Sequence, residues 1–527
     1  MRIAAFCIFA TLINFVFCDL YSALEELVGL VDNDQKIIES MKELSQTLES
    51  EASKIRINLK DSEEEQKLMK KNPHAYVENP LNAFLLIKRL THDVNAIKEK
   101  LDEISNQFMS KVKKYKLSND ELSGAVEGLY RLQSVYGLKT QEFANGIIYS
   151  KKYRKELKVN DLIVIGREMA KFDDHGFSSE YLELAKVKNS MTKDFTKIQI
   201  LEKIFHVYNS SGMLNEAVEV LNEILELDPT NQHYEEQRLS LELKSLFNEK
   251  TVEAKDFTGT HYTPIKEKLI LSKACKGELE KSIKEISQLH CRYLRTTHFT
   301  TIAPFKIIEA NLNPWVVIFV DIMSEEEIET LKLIAKDSFS RAEIMVNETA
   351  KVSNTRIAKI NWHYDDEHKI FEILTRRVGD MSGLNMETSE LFQIQNYGIG
   401  GYYNAHYDFT TKGNDFKLGT GNRIATTLFY LSDVELGGAT VFPFLRIYVP
   451  PKKGTAVYWL NLSSSGHREY TTRHFACPVI VGSKWVANKW LHEYGQEFKR
   501  PCDLIEFPTD DLYYTRMYDL KSFGIDF

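Results

Sequence analysis

Past its first eighteen residues the chain has no apolar run as long as the ~20 residues a membrane-crossing helix needs. Neither charge dominates: 67 basic and 75 acidic residues leave a formal net charge of −8, too weak a field to argue for nucleic acid as a partner. Cysteine is scarce, six in 527 residues, and two of them, Cys7 and Cys18, fall in the leading segment. What remains is globular material, 43% hydrophobic and 27% charged, in a chain long enough for about three domains.

The leading segment runs from Arg2 into an apolar stretch, Ile3 to Phe17, with Val16 and Cys18 suitably placed before a cleavage point ahead of Asp19. Residues 1–18 therefore read as a secretory signal peptide, the alternative being a membrane anchor for which the stretch is short. Its removal leaves Cys275, Cys291, Cys477 and Cys502 in an oxidising compartment, where an even set points to disulfides; buried free thiols are the alternative. Three pairings are open. The nearest-neighbour choice, Cys275 with Cys291 and Cys477 with Cys502, closes short loops, each contributing ~3 kcal/mol if unstrained.

Leu20, Leu24, Leu27, Val31, Ile38, Met41, Leu48, Ala52, Ile55 and Leu59 follow steps of four and three, the seam of a long helix. Pro73 and Pro80 break it, and a second seam runs through Ile87, Leu90, Val94, Ile97, Leu101, Ile104 and Phe108. The two helices should fold back on each other, and the seam is open to a second chain or to internal packing alone. From Lys158 to Ser245 shorter helical pairs follow, with Tyr208, Ala217, Leu221 and Pro229 at the spacing of a tetratricopeptide repeat. A fainter copy precedes them through Gly166, Leu182 and Ala185. Core packing explains most of these positions; a peptide groove lined by Tyr208 and Tyr181 is the functional reading.

After Pro314 the texture becomes β: Trp315 to Val320, Leu391 to Tyr397, Arg423 to Leu431, Tyr448 to Pro450, Thr455 to Leu460 and Pro478 to Val481 are short runs separated by turn signals. Many short strands late in a chain predict a jelly roll (double-stranded β-helix) or a barrel. On such a strand His406 and Asp408 face the same way and Tyr407 the other. His474 follows 474 − 406 = 68 residues later, room for the chain to cross and return. Two histidines and one carboxylate form the facial triad of non-haem Fe(II) oxygenases, leaving three coordination positions for 2-oxoglutarate and oxygen. A His-x-Asp pair is cheap, and His363-x-Asp365 is a second one, but it precedes a helix-like run where acidic residues have an ordinary capping role. His406 is favoured by Lys484, ten residues past His474, whose ammonium can hold the distal carboxylate of 2-oxoglutarate, with Tyr397 and Thr440 adding hydroxyls.

The run His474-Phe-Ala-Cys-Pro-Val-Ile-Val-Gly-Ser-Lys484-Trp-Val-Ala-Asn-Lys-Trp-Leu-His-Glu493 closely resembles the alpha subunit of collagen prolyl 4-hydroxylase. So do Gln395-Asn396-Tyr397-Gly398, Gly419-Thr-Gly-Asn-Arg-Ile-Ala-Thr426, Gly437-Gly-Ala-Thr-Val-Phe-Pro443 and Gly495-Gln-Glu-Phe-Lys-Arg-Pro-Cys502. The resemblance is dense from Leu391 to Cys502 and collinear upstream. It implies the order signal peptide 1–18, helical dimerisation domain 19–120, tetratricopeptide-like peptide-binding domain 121–248, disulfide-bearing connector 249–310 and dioxygenase domain 311–527.

It also implies roles: His406, Asp408 and His474 as iron ligands, Lys484 on the 2-oxoglutarate carboxylate, Tyr397 and Thr440 assisting. The family hydroxylates proline in X-Pro-Gly repeats of procollagen, converting 2-oxoglutarate to succinate, with ascorbate rescuing oxidised iron. Two such subunits assemble with two copies of protein disulfide isomerase in the endoplasmic reticulum lumen. The ending Gly524-Ile-Asp-Phe527 carries no retrieval tetrapeptide, so retention through that partner is expected, and sequons at Asn209, Asn347 and Asn461 suit the lumen. One departure is the tyrosine-poor repeat, which keeps only Tyr181, Tyr208 and Tyr234 between Val159 and Lys244 and leaves another X-Pro-Gly protein open as substrate. A catalytically silent binding subunit should show a broken triad or a lost lysine, and an oxygenase of other specificity more often an arginine at Lys484; neither sign is present.

Overall fold

The structure, a computed structural model, describes residues 19–172, 175–248, 265–336, 339–346, 349–352, 355–410 and 419–503. The expected signal peptide, the Asn347 sequon and the chain's last residues lie outside them. The described chain falls into two compact units, residues 26–119 and residues 19–25 together with 120 onward.

In the first unit the heptad pattern gives α1 (Val31–Lys71), with Asp32 and Asp34 in its first turn and Lys70 and Lys71 in its last, each the sign the helix dipole favours. Pro73 ends it, and the Asn72 side chain caps the short helix that follows by accepting from the Ala75 N–H at 3.2 Å. The chain returns through α2 (Val94–Val112), which packs on α1, so the predicted hairpin is present. Ion pairs Lys111–Glu43 and Arg89–Glu65 cross it. Seam residues Met41, Leu48, Ile97 and Leu101 nevertheless stay exposed.

The second unit starts with α3 (Asn119–Tyr136) and continues through α4 (Val159–Met169), α5 (Gly176–Thr192), α6 (Lys197–Ser210), α7 (Leu214–Leu227) and α8 (Gln232–Asn248). A Thr196–Gln199 capping box starts α6, and Pro229 follows the end of α7, where it cannot continue a helix. Helices α4 with α5, α6 with α7 and α7 with α8 pack in sequence order. Tyr181 and Tyr208 correct the sequence reading: they do not line a groove. Both are buried in the core of this layer among Ile163, Leu182, Ile204 and Leu221, and the Tyr181 hydroxyl donates to Gln133 Oε1 at 2.8 Å. A large aromatic at helical spacing filled the core because it faces the neighbouring helix rather than solvent.

Helix α9 (Ile265–Cys275) leads to two large antiparallel sheets, beside which Leu436–Gly437 pairs with Val479–Val481 and Glu343–Val346 with Thr349–Val352. The strands of the two large sheets are β1 (Cys291–Leu294), β2 (Phe305–Asn311), β3 (Val316–Val320), β4 (Ser340–Arg341), β5 (Ala358–His363), β6 (Phe392–Tyr397), β7 (Tyr403–His406), β8 (Arg423–Tyr430), β9 (Thr440–Phe442), β10 (Ile447–Val449), β11 (Ala456–Leu460), β12 (His474–Ala476) and β13 (Trp485–His492). The nine-stranded sheet has order β1-β2-β3-β11-β8-β13-β6-β5-β4 and the four-stranded sheet β7-β12-β9-β10. The large sheet thus begins at Cys291, inside the stretch read from sequence as a connector.

Strand alternation divides the core. Phe392, Ile394, Phe429, Trp485 and Ala487 pack under α10 (Glu325–Lys336) and α11 (Lys369–Ser382). Their neighbours Tyr397, Leu428, Tyr430 and Val486 meet Phe442, Ile447, Val449 and Ala476 of the small sheet. That second cluster is the interior in which the site lies.

The disulfide also corrects the sequence reading. Cys275 pairs with Cys477 across 202 residues, with Cα atoms 5.7 Å apart, while Cys291 and Cys502 are free and exposed. The reason is packing: α9 lies against the small sheet, where Leu271, Ala274, Val441 and Phe475 share one cluster and bring the two sulfurs together. Cys291 sits instead on the edge strand β1 of the other sheet.

Candidate active site

His406 ends β7 and His474 opens β12, and the antiparallel register sets them directly opposite each other with ring centroids 4.2 Å apart. Asp408 lies in a bend just past the end of β7, not on the strand as the spacing predicts, yet still turns to the same side. Nε2 of His406 and Nε2 of His474 are each 3.7 Å from Asp408 Oδ1, and the three ligand atoms lie within 4.8 Å of one another. Tyr407 turns away to stack on Phe409, centroids 4.7 Å apart.

Each imidazole is oriented from behind. His406 Nδ1 contacts the Asn404 carbonyl at 2.6 Å and His474 Nδ1 the Thr472 carbonyl at 3.0 Å. A carbonyl can only accept, so both Nδ1 atoms carry a proton and both Nε2 atoms are turned toward Asp408. Burial, with His474 alongside, holds the His406 pKa well below the ordinary imidazole value and keeps the ring neutral, as a ligand must be. Burial pushes the Asp408 pKa up, but its surroundings, the Arg423 guanidinium and the Thr426 hydrogen bond among them, outweigh it and keep the carboxyl below its ordinary value. Tyr403 stacks on His406 at 3.6 Å, and Phe442 and Trp459 flank His474.

Lys484, just before β13, is 1% exposed, and its Nζ has no hydrogen-bond partner among the described residues. The ammonium stands 4.8 Å from the centre of the Tyr397 ring, and burial pulls its pKa down to about 7. Tyr397, pushed up to about 12 by burial, makes a 3.4 Å contact from its hydroxyl to Gln395. Thr440 opens β9 in the same interior, buried beside the Tyr430 hydroxyl.

Residues 23–150 match the N-terminal region of the prolyl 4-hydroxylase alpha-subunit family, and residues 392–492 match the 2OG-Fe(II) oxygenase superfamily. The chain is 36% identical over 518 residues to prolyl 4-hydroxylase subunit alpha-1 of Gallus gallus, covering 93% of this chain and 99% of that one. It is 34% identical over 514 residues to the alpha-1 subunit of Rattus norvegicus, covering 92% and 96%. A solved viral collagen prolyl hydroxylase from Paramecium Bursaria Chlorella virus-1 is 24% identical, covers 33% of this chain and 94% of its own, and has a TM-score of 0.28. The chain belongs to the prolyl 4-hydroxylase alpha-subunit family. It is a 2-oxoglutarate-dependent oxygenase whose cofactor is Fe(II).

The side chains of this prolyl 4-hydroxylase subunit fit both groups. Two imidazole nitrogens and one carboxylate oxygen, converging from one side, suit Fe(II), and a buried ammonium without a hydrogen-bond partner among the described residues suits a carboxylate. The second His-x-Asp pair does not converge: His363 Nδ1 contacts Glu367 Oε1 at 2.9 Å, while Asp365 accepts from Lys489 at 2.7 Å.

Sequence reasoning missed the residues that support the ligands. Thr426 donates to Asp408 Oδ2 at 2.6 Å, and the Asn461 amide donates to Thr426 at 2.9 Å. Asn461 is fully buried and has no room for a glycan, which corrects its reading as an acceptor; Asn209 is exposed on α6. Arg423 reaches the Asp408 carbonyl at 3.4 Å and pairs with Glu390, itself joined to His492 at 2.8 Å. Despite its burial, Arg423 and His492 hold Glu390 down at about 2. Their available signal was alternation: Thr426 shares the inward parity of Leu428 and Tyr430 on β8.

Proposed function

We propose that this subunit hydroxylates the 4-position of proline in X-Pro-Gly sequences of procollagen or another secreted protein carrying that repeat. His406, Asp408 and His474 would hold the iron, and Lys484 the distal carboxylate of 2-oxoglutarate, assisted by Tyr397 and Thr440. The observation that carries the reading is the convergence of two imidazole Nε2 atoms on one carboxylate oxygen, at 3.7 Å each, in the interior that also contains the unpaired Lys484. Bound there, Fe(II) and 2-oxoglutarate together supply the oxidant that delivers one atom of O2 to the proline ring, leaving succinate and CO2.

The chain's own residues do the positioning. The Asn404 and Thr472 carbonyls fix both imidazole tautomers, and Thr426 fixes Asp408 Oδ2 so that Oδ1 is presented. Phe442, Trp459 and Tyr403 pack against the histidines and exclude water from that side. The unpaired Lys484 ammonium gains most from a carboxylate because little else in its surroundings solvates it.

The finer architecture and setting belong to the same reading: a dimerising helical region 19–120, a tetratricopeptide-like layer 121–248, a connector 249–310 and a jelly-roll oxygenase 311–527. Partnership is with protein disulfide isomerase as beta subunit of an alpha2-beta2 tetramer in the endoplasmic reticulum lumen, with ascorbate as reductant. The exposed apolar seam of α1 and α2 supports the dimer. A test is turnover of the co-expressed assembly. His406→Ala and His474→Ala should abolish peptide-dependent succinate, and Lys484→Ala should chiefly raise the 2-oxoglutarate KM. Full activity in either histidine variant would refute the assignment.

A further inference from the structure

The loop Gly398–Tyr402 ties Tyr397 on β6 to the strand that carries His406, and two pieces of chain outside both sheets grip it. The Ile399 N–H donates to the Tyr21 carbonyl at 2.9 Å, and Arg131 Nε on α3 donates to the Gly400 carbonyl at 3.1 Å. The fit is too close for side chains: a Cβ on Gly398 would lie 2.0 Å from the Tyr21 oxygen, and one on Gly128 2.4 Å from the Ile399 oxygen. Leu20, Tyr21, Ser22 and Ala23 are all buried, and the Tyr21 N–H donates to Glu121 at 3.1 Å.

A second link starts from the same segment. Asn396 is fully buried, and its Oδ1 accepts from the Glu25 N–H at 3.1 Å. Its Nδ2 lies 3.3 Å from the Lys484 carbonyl and 3.2 Å from Ser483 Oγ. Asn396, 371 residues from Glu25 and 88 from Lys484, therefore connects Glu25 to the Lys484 carbonyl, which also accepts from the Tyr397 N–H at 3.1 Å. Glu25 is itself tied down by Lys336 at 2.6 Å.

We infer that residues 20–25 brace the 2-oxoglutarate pocket, with Asn396 as the positioning residue that holds the Lys484 backbone and Tyr21 as the one that holds the 398–402 loop. The inference rests on the reading of Lys484 given above. A buried ammonium on a long side chain tends toward solvent, so its backbone has to be fixed if its head is to stay in the pocket. The brace contains neither an iron ligand nor a side chain that meets the cosubstrate. Its loss should therefore weaken cosubstrate binding and spare the metal site.

The test uses the full chain assembled with its partner, loaded with Mn(II), and measures 2-oxoglutarate Kd by calorimetry together with KM and kcat of the iron form. Asn396→Ala removes the amide bridge, and Gly398→Ala drives the segment off the loop. Both should raise Kd and KM for 2-oxoglutarate about tenfold with Mn(II) affinity and kcat unchanged. Gly398→Ala should also expose residues 20–25 to protease, whereas Tyr21→Phe, which keeps the ring, should behave as the parent. Should Gly398→Ala fail to assemble, Asn396→Ala decides. If Lys484→Ala raises Kd while Asn396→Ala does not, the brace is wrong. If Lys484→Ala leaves Kd unchanged, the reading of Lys484 falls and the brace with it.

Discussion

The Thr426 hydroxyl donates to Asp408 Oδ2 at 2.6 Å and accepts from the Asn461 amide at 2.9 Å, so one carboxylate oxygen is occupied and the other is left for the two imidazoles. Thr426→Val keeps the shape and removes the donor. Fe(II) affinity should fall about 10–100-fold, read from the activation curve against added iron. The Asn461 amide loses its acceptor, so the melting temperature should also drop, by the equivalent of about 1–3 kcal/mol.

Lys484 gives a pH signature. Its folded pKa is lowered to about 7, whereas an unfolded lysine titrates near about 10.4. Between those values the unfolded chain binds a proton that the folded, ligand-free chain does not, so stability should rise with pH from about 7 to about 10. A bound carboxylate favours the ammonium, and 2-oxoglutarate binding above pH ~7 should therefore take up a proton. Lys484→Met should flatten the slope, raise the ligand-free melting temperature at pH ~7 and remove the gain from 2-oxoglutarate. Scanning fluorimetry across that range checks all three.

Cys275 and Cys477 join α9 to the small sheet. Cys275→Ser and Cys477→Ser should each cost about 2–5 kcal/mol, with the double variant no worse than either single one. Cys291→Ser and Cys502→Ser should leave the denaturation midpoint unchanged. Non-reducing peptide mapping should recover the 275–477 pair.

Tyr208 is a core residue of the helical layer. Tyr208→Ala should destabilise that layer by about 3–5 kcal/mol. A rise in peptide KM without loss of stability would instead return it to a binding surface. Circular dichroism during urea unfolding separates the two.

Much of the oxygenase core was legible because strand alternation is local: the runs around Val316, Phe392, Arg423 and Ala456 became strands within a residue or two of their predicted ends. His406, Asp408 and His474 could be grouped because a two-residue spacing and a chain return are visible in sequence. The Cys275–Cys477 bond was not legible, since it depends on where α9 docks across 202 residues, and loop length alone favours nearer partners. Tyr181 and Tyr208 misled for a related reason. A helical period shows which residues share a face, but whether that face meets another helix or a ligand is decided by tertiary packing. Alternation shows that Thr426 faces the interior, but the hydrogen bonds of Thr426 and Asn396 reach residues far away in sequence, and those partners leave no local pattern.

Proline 4-hydroxylation is measured by incubating the assembled enzyme with Fe(II), ascorbate, 2-oxoglutarate and a Pro-Pro-Gly repeat peptide, and following succinate and peptide mass together. Peptide-dependent succinate should form in step with 4-hydroxyproline, and both should be absent in His474→Ala. An iron-loaded, folded assembly that forms neither product with this peptide or with unhydroxylated collagen would contradict that activity.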